Sequence, residues 1–203
     1  IEKLDPERIR EIVYEACKGL DETSAQDLNG EVMRMLYDGI TTEEIDKALI
    51  LAAKSRIEIE PSYSYVAARL LLQIIYRESL GIDCQQLELE ITHRRHFKNY
   101  LDDGIAAGRL APELLNYDLE KIAAAIELTR DHKFAYIGLQ TIYDRYLLHI
   151  EGRRIETPQY FWMRVSMGLA MQEDDREARA IEFYNVLSTF HFVSSTPTLF
   201  NAG

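Results

Sequence analysis

Helix-starting and helix-ending signals punctuate this chain almost throughout, which leaves little room for anything but a predominantly helical fold. Asp5 before Pro6 is an N-cap followed by proline in the first helical turn. Ile9, Ile12, Val13 and Ala16 then recur at helical spacing, and Gly19 closes the stripe. Ser24 caps a second stripe of Leu28, Val32 and Leu36, ended by Asp38-Gly39. Thr41 and Glu44 have the spacing of a capping box and open a third, with Ile45, Leu49 and Ala52. Pro61 starts a fourth that carries Val66, Leu70 and Ile74. The first 80 residues therefore read as a compact helical module.

The same style continues downstream, where periodicity predicts helices over 86–101, 118–128, 133–148, 158–173 and 175–190. Gly104, Gly108 and Pro112 mark a looser connection between the first two. Glu151-Gly152, between Tyr146-Leu147-Leu148 and Arg154-Ile155, predicts a small hairpin. At the far end Phe190, Phe192 and Val193 alternate with polar residues like a strand start, followed by Ser194-Ser195-Thr196-Pro197-Thr198. That switch predicts the opening of a further domain. No internal repeat or low-complexity tract is visible.

Charge narrows the partners. With 34 acidic against 23 basic residues the chain carries a net charge of −11, the wrong sign for tracking a nucleic-acid backbone. A single nucleotide needs only a local basic cluster or a helix N-terminus, so it stays open. No window reaches the ~18 apolar residues of a membrane helix, and no signal segment is recognisable. The expectation is a cytoplasmic protein with no membrane and no nucleic-acid partner. Length predicts one or two domains. The chain starts at Ile1 rather than Met and stops in a turn-like run at Gly203, so both ends are expected to be cuts.

Composition and periodicity alone yield no catalytic constellation. Cys17 and Cys84 form neither a metal spacing nor a CxxC pair and read as reduced structural thiols. His93 and His96, with Glu88 or Glu90 nearby, have a spacing that a metal could use. Arg94 and Arg95 between them favour a solvated basic face instead. Asp102-Asp103 and Asp174-Asp175 read as helix-end acids rather than an acid–base pair. Tyr160, Phe161 and Trp162 read as core, and Met33, Met35, Met163, Met167 and Met171 as adaptable core filler.

Several stretches resemble the large, catalytic subunit of ribonucleotide reductase, and together they cover essentially the whole chain. The most specific is Ser194-Ser195-Thr196-Pro197-Thr198-Leu199-Phe200-Asn201-Ala202-Gly203. Phe183 to Phe190 (Phe-Tyr-Asn-Val-Leu-Ser-Thr-Phe) resembles the family's helix leading into its catalytic barrel. Glu156 to Val165 (Glu-Thr-Pro-Gln-Tyr-Phe-Trp-Met-Arg-Val) resembles its helical-domain signature, with Phe134-Ala135-Tyr136 and Tyr146-Leu147-Leu148 before it. Tyr37-Asp38-Gly39-Ile40 with Thr42 and Ile45, and Tyr65 to Leu70, resemble its ATP cone, the module that senses ATP against dATP.

The resemblance implies a mainly α fold in three parts. Residues 1–80 would be an ATP cone lacking its N-terminal hairpin, 81–190 the helical domain, and 191–203 the first strand and turn of a ten-stranded α/β barrel. Glu2, Asp5, Arg8, Thr42 and Ile45 fall on the cone's nucleotide contacts, and Ser195 and Thr196 on the contact to the substrate diphosphate. The sequence departs from the cone in two places: its basic hairpin is absent, and the lysine that reaches the phosphates is matched by Glu78, with Arg77 one residue earlier. The redox and thiyl-radical cysteines lie downstream in the family, so no catalytic residue, metal or cofactor is expected in this chain. ATP and dATP are the implied effectors. The implied partners are the remainder of the large subunit and a radical-generating small subunit with its own metal cofactor.

Two functional classes follow. In the first the chain is a component of ribonucleoside-diphosphate reductase, inactive alone, as a natural split subunit, an excerpt, or a segment upstream of a protein-splicing element. In the second it is a stand-alone nucleotide sensor. Free-standing cones occur in a transcriptional regulator of reductase genes, and resemblance to that regulator would demand a four-cysteine zinc ribbon, which two cysteines cannot build.

Overall fold

A computed structural model of the chain describes residues 5–81 and 86–203. The chain divides into two compact units, one running to Ile74 and including Phe134–Gln140, the other made of Ile75–Lys133 and Thr141–Gly203. The mainly helical expectation holds. Among the described residues the only strands are a two-residue pair.

The first unit is built on α1 (Pro6–Cys17), α2 (Ala25–Met35), α3 (Thr42–Ser55) and the start of α4 (Tyr63–Leu80). Each of the first three begins where a side chain satisfies backbone N–H groups that have no partner within the helix. Asp5 Oδ1 accepts from the Glu7 and Arg8 amides at 3.0 and 3.4 Å. Ser24 Oγ accepts from Asp27 N at 3.1 Å. Thr41 Oγ1 accepts from Glu44 N at 3.3 Å while Glu44 Oε2 accepts from Thr41 N at 2.9 Å, a complete capping box. The fourth helix starts at Tyr63, two residues after Pro61.

Of the predicted stripes, Ile9, Val13 and Ala16 on α1, Leu28 and Val32 on α2, Leu49 and Ala52 on α3, and Val66 and Leu70 on α4 are buried, joined by Ala53 and Ala67, while Ile12, Leu36, Ile45 and Ile74 at the stripe edges are half-buried. Polar side chains tie the helices together. The Arg69 guanidinium donates to Ala16 O at 3.0 Å and Lys18 O at 2.7 Å, placing a cation on the carbonyl end of α1. Glu31 on α2 accepts from Ser55 Oγ at 2.8 Å and Arg56 Nε at 2.9 Å at the end of α3. The Tyr63 hydroxyl accepts from Ser24 N at 2.9 Å.

The second unit contains α5 (Gln86–Ala106), a 3-10 segment (Pro112–Asn116), α6 (Leu119–Ala124), a second 3-10 segment (Leu128–Lys133), most of α7 (Tyr136–Arg145), α8 (Pro158–Ala170), α9 (Arg176–Ser188) and α10 (Thr196–Asn201). Between α7 and α8, β1 (His149–Ile150) pairs antiparallel with β2 (Arg153–Arg154) in the register His149 to Arg154. This is the hairpin expected at Glu151-Gly152. Both residues take positive φ, +50° and +83°, the turn whose twist matches a two-residue hairpin and which asks for glycine. Helix α8 is the centre of the unit, with every residue from Pro158 to Met167 buried. Such a helix cannot be amphipathic, so its polar residues must find partners inside.

Two expectations are corrected here. The strand predicted to begin near Phe190 does not form. Residues 191–195 pair with no strand among the described residues, and Thr196–Asn201 is a short helix with Pro197 in its first turn. A lone strand leaves its N–H and C=O groups without a ladder, whereas a helical turn closes some of them locally, here Leu199 N on Ser195 O at 3.1 Å and Ala202 N on Thr198 O at 3.0 Å. His93 does not lie on a solvated basic face. Arg94 and Arg95 are exposed, but His93 is 1% exposed on the inward side of α5 with Phe97, Tyr100 and Leu101. Its spacing from those residues is that of a core stripe, which the intervening arginines obscure.

The capping box gives a direct check of the first unit. Thr41→Ala removes the acceptor of the Glu44 amide while leaving the residue-41 backbone N–H on the Glu44 carboxylate, and is expected to cost about 1 kcal/mol of stability in a urea titration. An unchanged midpoint would mean that the box contributes nothing.

Candidate functional site

The residues proposed from sequence for effector binding sit at two helix starts of the first unit. Asp5 and Arg8 are exposed on the first turn of α1, joined by the cap bond from the Arg8 amide to the Asp5 carboxylate. Thr42 is exposed in the first position of α3, and Ile45, one turn on, is half-buried beside the capping box. Glu2 lies outside the described residues. Both starts hold acids: the Asp5 carboxylate is committed to capping α1, and Glu44 to capping α3. The Glu44 carboxyl is held below the ordinary range by the Thr41 backbone and side-chain donors and by the Tyr37 hydroxyl at 2.8 Å. Nearby cations are engaged along their own helices, Arg10 with Glu7 and Lys47 with Glu43. Polar groups at this surface suit ribose and base, while a phosphate would have to recruit Arg8 or a cation from elsewhere.

Ser195 and Thr196 sit at the start of α10 in the second unit, both exposed. Ser195 Oγ lies 3.2 Å from Thr198 Oγ1, and Thr196 Oγ1 lies 3.1 Å from the Tyr146 hydroxyl. The Tyr146 and Phe200 rings pack in a tilted arrangement, 4.8 Å between centroids. Three hydroxyls are thus gathered on one exposed turn, a group able to donate to anionic oxygens.

Beneath that turn lies a polar core that inspection of the sequence missed. Arg164 and Glu156 are both buried, with Arg164 Nε donating to Glu156 Oε1 at 2.7 Å. Glu156 also accepts from the buried Tyr100 hydroxyl and from Leu148 N at 3.0 Å. Burial works against the guanidinium charge, but the adjacent carboxylate more than offsets it and Arg164 is held protonated. The remaining Arg164 donors go to main-chain carbonyls, Nη1 to Ala202 at 2.7 Å and Nη2 to Leu199 at 3.5 Å. The only sequence signal was an arginine inside an otherwise apolar helical run.

Two further buried groups flank α8. His93 Nε2 lies 2.8 Å from Thr157 Oγ1, the N-cap of α8, and burial lowers its pKa to about 3, so the ring is neutral. Asp131 receives the Tyr76 hydroxyl and Gln159 Nε2, the latter at 2.6 Å, and the Tyr184 hydroxyl donates on to Gln159 Oε1 at 2.5 Å. Burial raises the Asp131 pKa to about 7 against the effect of its two donors. A small cleft between Glu90, His93 and Glu127 has about 30 Å³, room for a water molecule and no more. Among the described residues no group of three metal-ligating side chains occurs, and no helix is long and apolar enough to cross a membrane. Cys17 is a buried free thiol, its pKa raised by burial, and Cys84 lies outside the described residues.

Comparison with known proteins gives this arrangement a context. The ATP cone domain family matches residues 1–78, and the ribonucleotide reductase all-alpha domain family matches residues 132–203. Together they define a class, a cone joined to a reductase-type helical domain. Among curated relatives, the ribonucleoside-diphosphate reductase subunit alpha of Chlamydia muridarum is 48% identical over 190 residues, covering 93% of this chain and 18% of that protein. The Helicobacter pylori subunit alpha is 37% identical over the whole chain and 25% of its own length. The large subunit of Danio rerio is 31% identical over 97% of the chain and 24% of its own length. The chain belongs to the ribonucleotide reductase large-subunit family, carrying its ATP cone and all-alpha domain. It spans about a fifth to a quarter of the length of these relatives.

The Asp131 carboxyl predicts a pH dependence. Its folded pKa of about 7 lies above the ordinary 3.8, so the folded state binds the proton more tightly. The associated stability is full below about pH 4 and lost as pH rises through about 7. His93 acts in the opposite sense, costing stability as pH falls from 6.5 towards 3. The stability of the native chain relative to Asp131→Asn, which leaves His93 in place, should therefore fall between pH 4 and pH 7 in denaturant titrations. A pH-independent difference would contradict a carboxyl held neutral by burial.

Proposed function

We propose that this chain supplies the effector-sensing cone and the helical scaffold of a ribonucleoside-diphosphate reductase large subunit, together with part of the substrate phosphate site. The observation that carries this reading is the order and continuity of the match: a cone at 1–78, an all-alpha domain at 132–203, and relatives aligned across 93% or more of the chain. In the proposed layout 1–80 is the cone, 81–190 the helical domain, and 191–203 the entry to a catalytic barrel carried by further polypeptide. Glu2, Asp5, Arg8, Thr42 and Ile45 contribute to ATP or dATP binding. Ser195 and Thr196 contact the diphosphate of the ribonucleotide through their hydroxyls.

The reduction itself belongs to residues outside this chain. A thiyl radical abstracts the 3′-hydrogen, the 2′-hydroxyl leaves as water, and a dithiol supplies two electrons. A separate small subunit with a metal cofactor generates the radical. The chain alone is inactive, acts in the cytoplasm, and depends on the barrel-bearing polypeptide as partner.

Calorimetric titration with dATP tests the sensing half of the proposal. A saturable heat that Arg8→Ala weakens about tenfold, the loss of one charge-assisted phosphate contact, is expected. Absence of binding at millimolar dATP by the large-subunit polypeptide that carries this chain would contradict it.

A further inference from the structure

The residues that touch substrate in this reading are exposed, yet the backbone that carries them is fixed from below. Gly168 lies on α8 one turn after Arg164. A methyl group at Gly168 would overlap the Gly203 amide nitrogen and stand 2.6 Å from the Ala202 carbonyl carbon. These are main-chain atoms that no rotamer change can move aside. Residues 202–203 therefore rest directly on the α8 backbone at a spot where only glycine fits. Four residues earlier on the same face, the Arg164 guanidinium reaches the Ala202 carbonyl at 2.7 Å and the Leu199 carbonyl at 3.5 Å. Leu199 is buried, and Ala111 N donates to Gly203 O at 3.2 Å from the other side.

Arg164 is not free to follow a moving segment. Its Nε and Nη2 are held by Glu156, which is held in turn by Tyr100 and the Leu148 amide. A guanidinium fixed on one side by a buried carboxylate presents its remaining N–H groups in a rigid fork. Thr196 is reached from this frame by two routes, through the six-residue α10 whose end Arg164 grips, and through Tyr146, which meets both Thr196 Oγ1 and the Phe200 ring.

From this geometry we infer that Arg164 and Gly168 are positioning residues for substrate: they seat residues 199–203 on α8 and so set where the Thr196 hydroxyl meets the ribonucleotide diphosphate. The inference rests on the assignment of Thr196 to that diphosphate. Neither residue touches substrate, and both act through the segment they hold. A displacement of about an ångström in such a contact is enough to change turnover or affinity by one to two orders of magnitude.

The test uses the reductase large-subunit polypeptide that carries this chain, assayed with its radical-generating subunit. KM for the ribonucleoside diphosphate is measured for Thr196→Ala, Gly168→Ala, Arg164→Lys and the double variant Gly168→Ala/Thr196→Ala. Each single variant is expected to raise KM about tenfold, with dATP affinity at the cone unchanged. The double variant should be no worse than Thr196→Ala alone, because seating has no effect once the hydroxyl is gone. Hydrogen exchange of the 199–203 amides should quicken in Gly168→Ala and Arg164→Lys. A normal KM in both seat variants, or losses that multiply in the double variant, would overturn the inference. A normal KM for Thr196→Ala would instead remove the substrate assignment beneath it. If Gly168→Ala fails to fold, Arg164→Lys with Arg164→Lys/Thr196→Ala gives the same cycle.

Discussion

An arginine and a glutamate taken entirely out of water set the terms for the second unit. Separating a guanidinium or a carboxylate from solvent costs several kcal/mol per ion, and their mutual attraction offsets this only when the geometry is good and the remaining donors and acceptors are filled. Arg164 and Glu156 meet both conditions. The carboxylate takes Arg164 Nε, the Tyr100 hydroxyl and the Leu148 amide, and the guanidinium spends its other N–H groups on the Leu199 and Ala202 carbonyls. Those partners come from α5, the hairpin approach, α8 and the closing segment. One ion pair therefore ties the 148–164 stretch to α5 on one side and to residues 199–202 on the other, and each of them would have to move for the pair to relax.

The same logic runs around the rest of α8. A helix so deeply buried needs answers for its polar groups: Thr157 finds His93, Gln159 finds Asp131 and Tyr184, and Ser166 finds the Trp162 carbonyl at 2.7 Å, while the buried Trp162 indole nitrogen has no hydrogen-bond partner among the described residues. Burial sets the charge states along with the geometry: the His93 ring is neutral, and Asp131 is brought close to half-protonation near neutral pH. The first unit is held differently, by apolar stripes and by caps at the surface, with Arg69, Glu31 and Tyr63 supplying long-range polar ties. A module of that construction can keep its helix starts exposed, because its stability does not depend on burying them.

Much of the first unit was legible because its signals are local. Asp5, Ser24 and the Thr41–Glu44 box each act within four residues of the backbone they satisfy, and the apolar stripes follow from the same 3.6-residue period. The hairpin at Glu151-Gly152 was legible for that reason too. What escaped was set by distance. His93 looked like a member of a basic face because its neighbours Arg94 and Arg95 are charged; its spacing from Phe97, Tyr100 and Leu101 hinted at a core stripe, but its polar partner Thr157 lies 64 residues away. The terminal strand was expected from alternation at Phe190, Phe192 and Val193, but a strand exists only with a ladder partner, and none is present among the described residues. Ser195 and Thr196 came from family resemblance alone, and both are exposed at the start of α10. The seat below them, Arg164 and Gly168, had no sequence signal beyond a charge and a glycine inside an apolar helix.

The most direct test of the buried ion pair as the organising constraint is the unfolding free energy of Glu156→Gln set against the double variant Glu156→Gln/Arg164→Met. Removing the carboxylate alone strands a buried cation and should cost roughly 3–5 kcal/mol, whereas replacing both partners should recover most of that loss. A single-variant cost below about 1 kcal/mol, the range of an exposed pair, would contradict the account and place the organising constraint of the second unit elsewhere.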